Sequence, residues 1–233
     1  MAAPTRREFL KTSAMAGGLA AGAAGLKGLA AKEAEPDTFT LNRQIPVERG
    51  YDLVVCGGGP AGTAAAISAA RLGAKVLLVE AMGCLGGMGT AALVNAYDPM
   101  GDGKRMLVGG LMREIVEAMY ERKFLKPNIN PETWRKNSHH WTAFQVEGYK
   151  LLLDELVTAA GVEVRFFTRV IDVDADQDGK NVRGVILQNI EGYRYVAAEK
   201  FVDATGDAVL ADLCGVPCRE AGRDTPAPMP ATL

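Results

Sequence analysis

The sequence predicts an α/β fold, a parallel sheet with a β-meander attached, and three observations predict it. The first is Tyr51 to Thr90, YDLVVCGGGPAGTAAAISAARLGAKVLLVEAMGCLGGMGT, where a β-branched run, a glycine turn, an alanine-rich helix and a second apolar run succeed one another. The second is a further helix and apolar run, Glu147 to Phe167, which repeats that alternation. The third is a set of three strand-like segments, Thr168 to Asp174, Val182 to Asn189 and Tyr193 to Ala198. Asp178-Gly179 and Glu191-Gly192 join them, and such pairs close hairpins.

Asp52 to Cys56 is short, apolar and bounded by glycine, as a strand buried on both faces of a parallel sheet requires. Gly57, Gly59 and Gly62 then fit G-x-G-x-x-G: one glycine makes the turn, the next admits a pyrophosphate, the third packs helix on strand. The helix runs from Pro60 to Leu72. Pro60 suits a first turn, and the free N–H groups there, next to Ala61, face the phosphates of a ligand. Gly73 ends the helix, and a second strand, Lys75 to Val79, finishes on Glu80, eighteen positions after Gly62. A carboxylate there accepts hydrogen bonds from a ribose diol and disfavours a 2′-phosphate. The unit is therefore built for a dinucleotide.

The segment that begins at Glu80 narrows the cofactor. Glu80-Ala-Met-Gly-Cys-Leu-Gly-Gly-Met-Gly-Thr90 resembles the segment after the second strand in FAD-dependent oxidoreductases of the glutathione-reductase-like group. Gly86 and Gly87 match the glycine pair that passes the flavin's phosphates and ribityl chain in that group, and Thr90 closes the match. Val202-Asp-Ala-Thr-Gly-Asp207 resembles the same group's strand end beside the cofactor, through Thr205, Gly206 and Asp207. The resemblance covers roughly residues 50 to 233. It implies a Rossmann-like domain binding FAD, with backbone near Val170 against the adenine. It also implies an oxidoreductase in which the flavin exchanges a hydride with a small organic substrate, then with a second acceptor. An NAD(P)-dependent dehydrogenase and a non-catalytic flavin-binding module remain as alternatives. The acid and base of the resembled proteins commonly come from a second domain, so no residue of this chain is assigned a catalytic role.

Thr5-Arg6-Arg7-Glu8-Phe9-Leu10-Lys11 matches the twin-arginine export signature, and an Ala/Gly-rich run to Ala31 comes after it. Gly17, Gly18, Gly22, Gly25, Gly28 and Lys27 argue against a stable membrane span. The expected localisation is exported, periplasmic or extracellular, with the twin-arginine machinery as a partner. That route carries folded proteins, which suits a chain that acquires its flavin first. The expected domain plan is residues 1–31 as signal peptide, 32–47 as linker, 48–219 as the FAD-binding domain with a helical insertion at about 95–145, and 220–233 as the start of a substrate domain. The chain reads as the N-terminal part of a longer flavoprotein.

The chain holds 26 basic and 28 acidic residues. Residues 1–31 carry four basic and one acidic, so a chain cut there has 22 against 27, a net of −5. No basic patch suggests nucleic acid. Within the insertion, Leu107 to Lys123 has helical spacing and Lys126 to His140 reads as a loop or short helix. His139 and His140 read as solvated loop residues, with an acid/base role as the alternative. Val162 to Phe167 is a third parallel strand, expected beside the first. Within Asp172 to Gly179, Asp174, Asp176, Asp178 and Gly179 fall at positions one, three, five and six of a calcium loop, but Val185 stands at its twelfth, so a hairpin turn is the reading. No metal is expected. Cys56 reads as a core filler, Cys84 lacks a partner for a dithiol relay, and Cys214 and Cys218 read as either a structural pair or free thiols.

Overall fold

In a computed structural model of the chain, the structure describes residues 38–136, 141–219, 222–224 and 226. The described residues from Arg43 onward form one compact unit. The elements in order are β1 (Val47–Cys56), α1 (Pro60–Arg71), β2 (Val76–Val79), a 3-10 turn (Gly87–Gly89), β3 (Ala96–Tyr97), α2 (Gly110–Glu121) and α3 (Pro131–Lys136). Then come β4 (Thr142–Ala143), α4 (Val146–Ala159), β5 (Glu163–Arg165), β6 (Arg169–Ala175), β7 (Val182–Asn189), β8 (Gly192–Asp203) and α5 (Val209–Leu213).

Six strands form one sheet in the order β5-β2-β1-β8-β7-β6, parallel across the first four and antiparallel from β8 to β6. Successive side chains of a strand face opposite ways, so the apolar run of β1 divides between two cores. Val55 joins Val76 and Leu78 of β2, Ile67 of α1 and Leu152 and Leu153 of α4 on one face. Val54 and Cys56 join Leu77, Val79, Val185, Val196 and Leu210 on the other. Both faces are dry, which is why these strands are apolar without a gap.

Two expectations about the sheet are corrected. Val162 to Phe167 does not lie beside the first strand: β5 pairs with β2, Leu77 opposite Glu163 and Val79 opposite Arg165. The free edge of β1 is taken by β8, which pairs from Val47 opposite Tyr195 to Cys56 opposite Asp203 with a bulge between Glu48 and Tyr51. The crossover through α4, which packs beside α1, therefore returns the chain outside β2. The second correction concerns the meander strand Tyr193–Ala198 and the strand end at Val202-Asp203, read apart from one another. They form the single strand β8, whose first half pairs with β7 and whose length runs along β1. It joins the meander to the parallel sheet.

Asp176 to Asn181 makes the expected turn between β6 and β7, with Gly179 left-handed at φ 67 and the Asp176 carboxylate accepting from the Asn181 N–H at 3.0 Å. Helix α2 covers the core of the predicted Leu107–Lys123 helix and buries Ile115, Val116 and Met119. His139 and His140 lie outside the described residues, as do Arg6, Arg7 and the rest of the leader. Among the described residues no helix is long and apolar enough to cross a membrane.

Candidate functional site

At the C-terminal ends of β1, β2 and β8 a cavity of about 220 Å³ opens, lined by Gly57, Val79, Glu80, Ala81, Thr168, Arg169, Val170, Thr205, Asp207 and Val209. Ligands of parallel α/β sheets bind at this end, where backbone leaves the strands. A larger hollow of about 440 Å³ among Tyr120, Leu125 and Ile129 shares no lining residue with it and has no glycine turn.

The glycines of the first turn serve different purposes. Gly57 has φ 104, and a Cβ on it would sit 2.4 Å from the Ala204 carbonyl oxygen. A Cβ on Gly62 would lie 1.8 Å from the Gly57 oxygen. These two allow α1 to press onto β1 and β8. Gly59 differs: a Cβ there would meet nothing within 4 Å, and its φ of −67 suits any residue. The space beside Gly59 is thus a cradle that a side chain would fill. It lies at the start of α1, which has no side-chain cap. The helix begins with the Thr63 N–H bonded to the Gly59 oxygen at 2.9 Å, and Pro60 has no N–H. The Ala61 and Gly62 N–H groups therefore lack helical acceptors, next to the positive end of the helix dipole.

Glu80 is buried at the end of β2. Its Oε2 accepts the Gly58 N–H and its Oε1 the Met82 N–H, both at 2.6 Å. A carboxylate offers about four lone-pair sites, so two remain for a diol. The second glycine turn rests on the first: the Gly86 N–H donates to the Gly58 oxygen at 2.8 Å, and a Cβ on Gly87 would come 3.0 Å from the Gly59 Cα. Thr90 is enclosed and donates its hydroxyl to the Leu85 carbonyl at 2.6 Å, closing this turn from inside.

The third contribution comes from the end of β8. Asp203 accepts from the Thr205 N–H at 3.0 Å, the Thr205 hydroxyl at 2.8 Å and the Ala211 N–H at 2.9 Å. Thr205 Oγ1 in turn accepts the Val209 N–H at 2.9 Å. Burial opposes the Asp203 charge, yet these donors outweigh it and hold the carboxyl below its usual range. The bonds brace a turn in which Gly206 (φ 83) and Ala208 (φ 56) are both left-handed.

The structure thus brings Gly57, Glu80, Val170, Thr205 and Asp207 to one cavity. Gly59, Pro60, Ala61, Gly62, Gly86, Gly87 and Gly206 lie in the three turns around it, and Thr90 is internal. Sequence reasoning missed Gly58, which ties the two turns to Glu80, and Asp203, which braces the third. Both stand inside recognisable motifs, and only their hydrogen bonds show the role. Arg169 and Thr168 were missed for want of any motif.

A family model for FAD dependent oxidoreductases matches residues 52–232, a span that contains all three turns. The chain belongs to the FAD-dependent oxidoreductase family. Over 47 residues this family member is 56% identical to the dihydrolipoyl dehydrogenase of Trypanosoma brucei brucei, a match covering 20% of this chain and 10% of that protein. In fold it is similar to the p-nitrophenol 4-monooxygenase of Pseudomonas putida DLL-E4, with a TM-score of 0.51 at 15% identity, covering 72% of this chain and 44% of that one. It is also similar to AlpK, with a TM-score of 0.50 at 16% identity, covering 71% and 33%. At these identities the structural likeness concerns the fold. The chain spans less than two thirds of the length of these relatives. The family's cofactor is FAD, and the open cradle at Gly59, the uncapped helix start and the Glu80 carboxylate fit its adenosine diphosphate part.

The cysteines of this family member are all unpaired, so Cys214 and Cys218 are free thiols. Burial, with the Asp203 charge adding to it, pushes the Cys56 thiol up to about 12, which leaves it an inert filler of the sheet. Among the described residues no group of three His, Cys, Asp or Glu is placed to hold a metal.

Proposed function

We propose that this chain is the cofactor-binding part of an exported flavoprotein that transfers a hydride between a small organic substrate and FAD and passes the electrons to a second acceptor. The observation that carries the reading is Gly59. Its open side stands between two glycines closed by the protein's own backbone, next to a helix start with free N–H groups. Bound FAD supplies two-electron redox chemistry.

The chain's residues bind and orient. The first turn of α1 receives the diphosphate, and Glu80 takes the ribose diol through its two free lone-pair sites. Charge on Glu80 repels a 2′-phosphate, which selects FAD over a phosphorylated dinucleotide. The Gly86-Gly87 backbone and the Thr205–Asp207 turn flank the path from diphosphate to flavin. The export reading rests on Arg6-Arg7 and the run behind it. Substrate-dependent reduction of a dye by the natively purified full-length protein tests the redox reading, with alcohols, amines and hydroxy acids as donors. Reduction that needs both donor and FAD is expected. Bound FAD with no dye reduction by any donor class would favour a non-catalytic flavin module.

A further inference from the structure

Arg169 opens β6 and lines the same cavity as Glu80 and Asp207, on the strand opposite the glycine turn. It is exposed and enters no ion pair among the described residues. Its neighbours in the sheet behave otherwise. Arg165 meets Glu48 and Glu163, Arg183 meets Asp174, and Arg194 meets Glu48 and Glu191. Arg169 shares a cavity with two carboxylates and bonds to neither: Glu80 is taken up by backbone N–H groups.

A guanidinium that lines a cavity with two carboxylates yet pairs with neither leaves a planar set of donors free for an oxyanion. The cofactor brings one, because its diphosphate carries two negative charges. The cradle answers that charge only in part. The first turn of α1, Pro60-Ala-Gly-Thr63, has no basic side chain, and a helix start supplies about half an elementary charge. Of the ten residues that line the cavity, Arg169 alone is a cation.

We propose that Arg169 is a cofactor-binding residue whose guanidinium pairs with the diphosphate of the adenosine diphosphate half of FAD. The proposal rests on the cofactor cradle at Gly59. Two donors of one guanidinium can meet two oxygens, which an ammonium cannot reproduce. Affinity conferred this way depends on salt and on the phosphates, not on the nucleoside.

Full-length apo-protein, titrated with FAD by flavin fluorescence and with ADP and adenosine as competitors, tests this. Arg169→Gln is expected to weaken FAD and ADP about tenfold or more, leave adenosine unchanged and flatten the salt dependence of FAD binding. Arg169→Lys should recover part of the loss, and it carries the test if the glutamine variant does not fold. Three results would overturn the proposal: unchanged FAD affinity in Arg169→Gln, an equal loss for ADP and adenosine, or wild-type protein that holds ADP no better than adenosine. Gly59→Val is the control for the cradle. If that variant retains FAD, the cradle is misplaced. If it loses FAD while Arg169→Gln does not, only the role of Arg169 fails.

Discussion

Gly59 and Gly62 stand three residues apart and answer to different demands. A methyl on Gly62 would lie 1.8 Å from the Gly57 oxygen, a contact that only movement of α1 off β1 relieves. Gly62→Ala should therefore lose about 1–3 kcal/mol of stability or more, the usual cost of overpacking. In a chain of this size, thermal unfolding would fall by roughly 2–4 °C per kcal/mol. Gly59→Ala should leave the melting temperature of the apo-protein unchanged and weaken FAD, because its methyl occupies ligand space. Equal loss of stability in the two variants would show that Gly59 too serves packing.

Asp203 offers a pH-dependent counterpart. Its carboxyl is held below its usual range, so the unfolded chain takes up its proton first as acid is added. The stability it contributes is fully present above the unfolded value of about 3.9 and is lost as pH falls through the folded value. Urea midpoints of wild type and Asp203→Asn should differ at pH 7, and the gap should narrow progressively as pH falls below about 4. A gap as wide at pH 3 as at pH 7 would contradict the assignment.

At the scale of the element, the insertion is tied to the cofactor turns by aromatic rings. Tyr97 on β3, Phe144 just after β4, and Tyr149 on α4 pack at centroid distances of 4.8, 5.0 and 5.8 Å. A Cβ on Gly89 would meet Tyr149 at 2.9 Å and Phe144 at 3.5 Å, so the rings support the 3-10 turn directly. Phe144 is 1% exposed. Phe144→Ala should cost about 3–5 kcal/mol in urea unfolding, as buried phenylalanines do, and should loosen the Gly86–Gly89 turn. FAD affinity should drop with it, measured where the variant is still folded. A variant that loses stability but keeps wild-type FAD affinity would show that the insertion does not set the geometry of the turn.

For the whole molecule, the cofactor turns and both cores lie in the unit that begins at Arg43, far along the chain from Arg6-Arg7. If export depends on the twin arginines, replacing both with lysine should leave folded, flavin-loaded protein in the cytoplasm, read by fractionation and flavin absorbance. Unchanged export would point to another route. The fold should be indifferent to the change, so equal melting temperatures for the two purified proteins are expected.

Local chemistry made much of this protein legible from its sequence. Glycines at 57, 59 and 62, an alanine-rich helix with proline at its start, and an acid at the end of the second strand each arise from short-range sterics and hydrogen bonding. So do the turns at Asp178-Gly179 and Glu191-Gly192. Pairing over long separations was not legible. That β8 fills the edge of β1 and sends β5 outside β2 depends on which edges are free once the strands meet, and no periodicity encodes that. The working groups were not legible either: the bonds to Asp203 span only two and eight residues but need a turn no motif announces, and Arg169 shares a cavity with Glu80 across a longer separation. Asp203 reads as one acid in a motif until the Thr205 and Ala211 N–H groups converge on it. Arg169 reads as a surface cation until the turn after β5, whose Thr168 N–H donates to the Glu80 carbonyl at 2.9 Å, brings it to the cavity that Glu80 lines. Sequence determined which backbone can turn, cap and pair locally; only the tertiary structure decided which side chains share a cavity, because that depends on contacts between segments distant in the chain, such as those of Gly57 and Thr205.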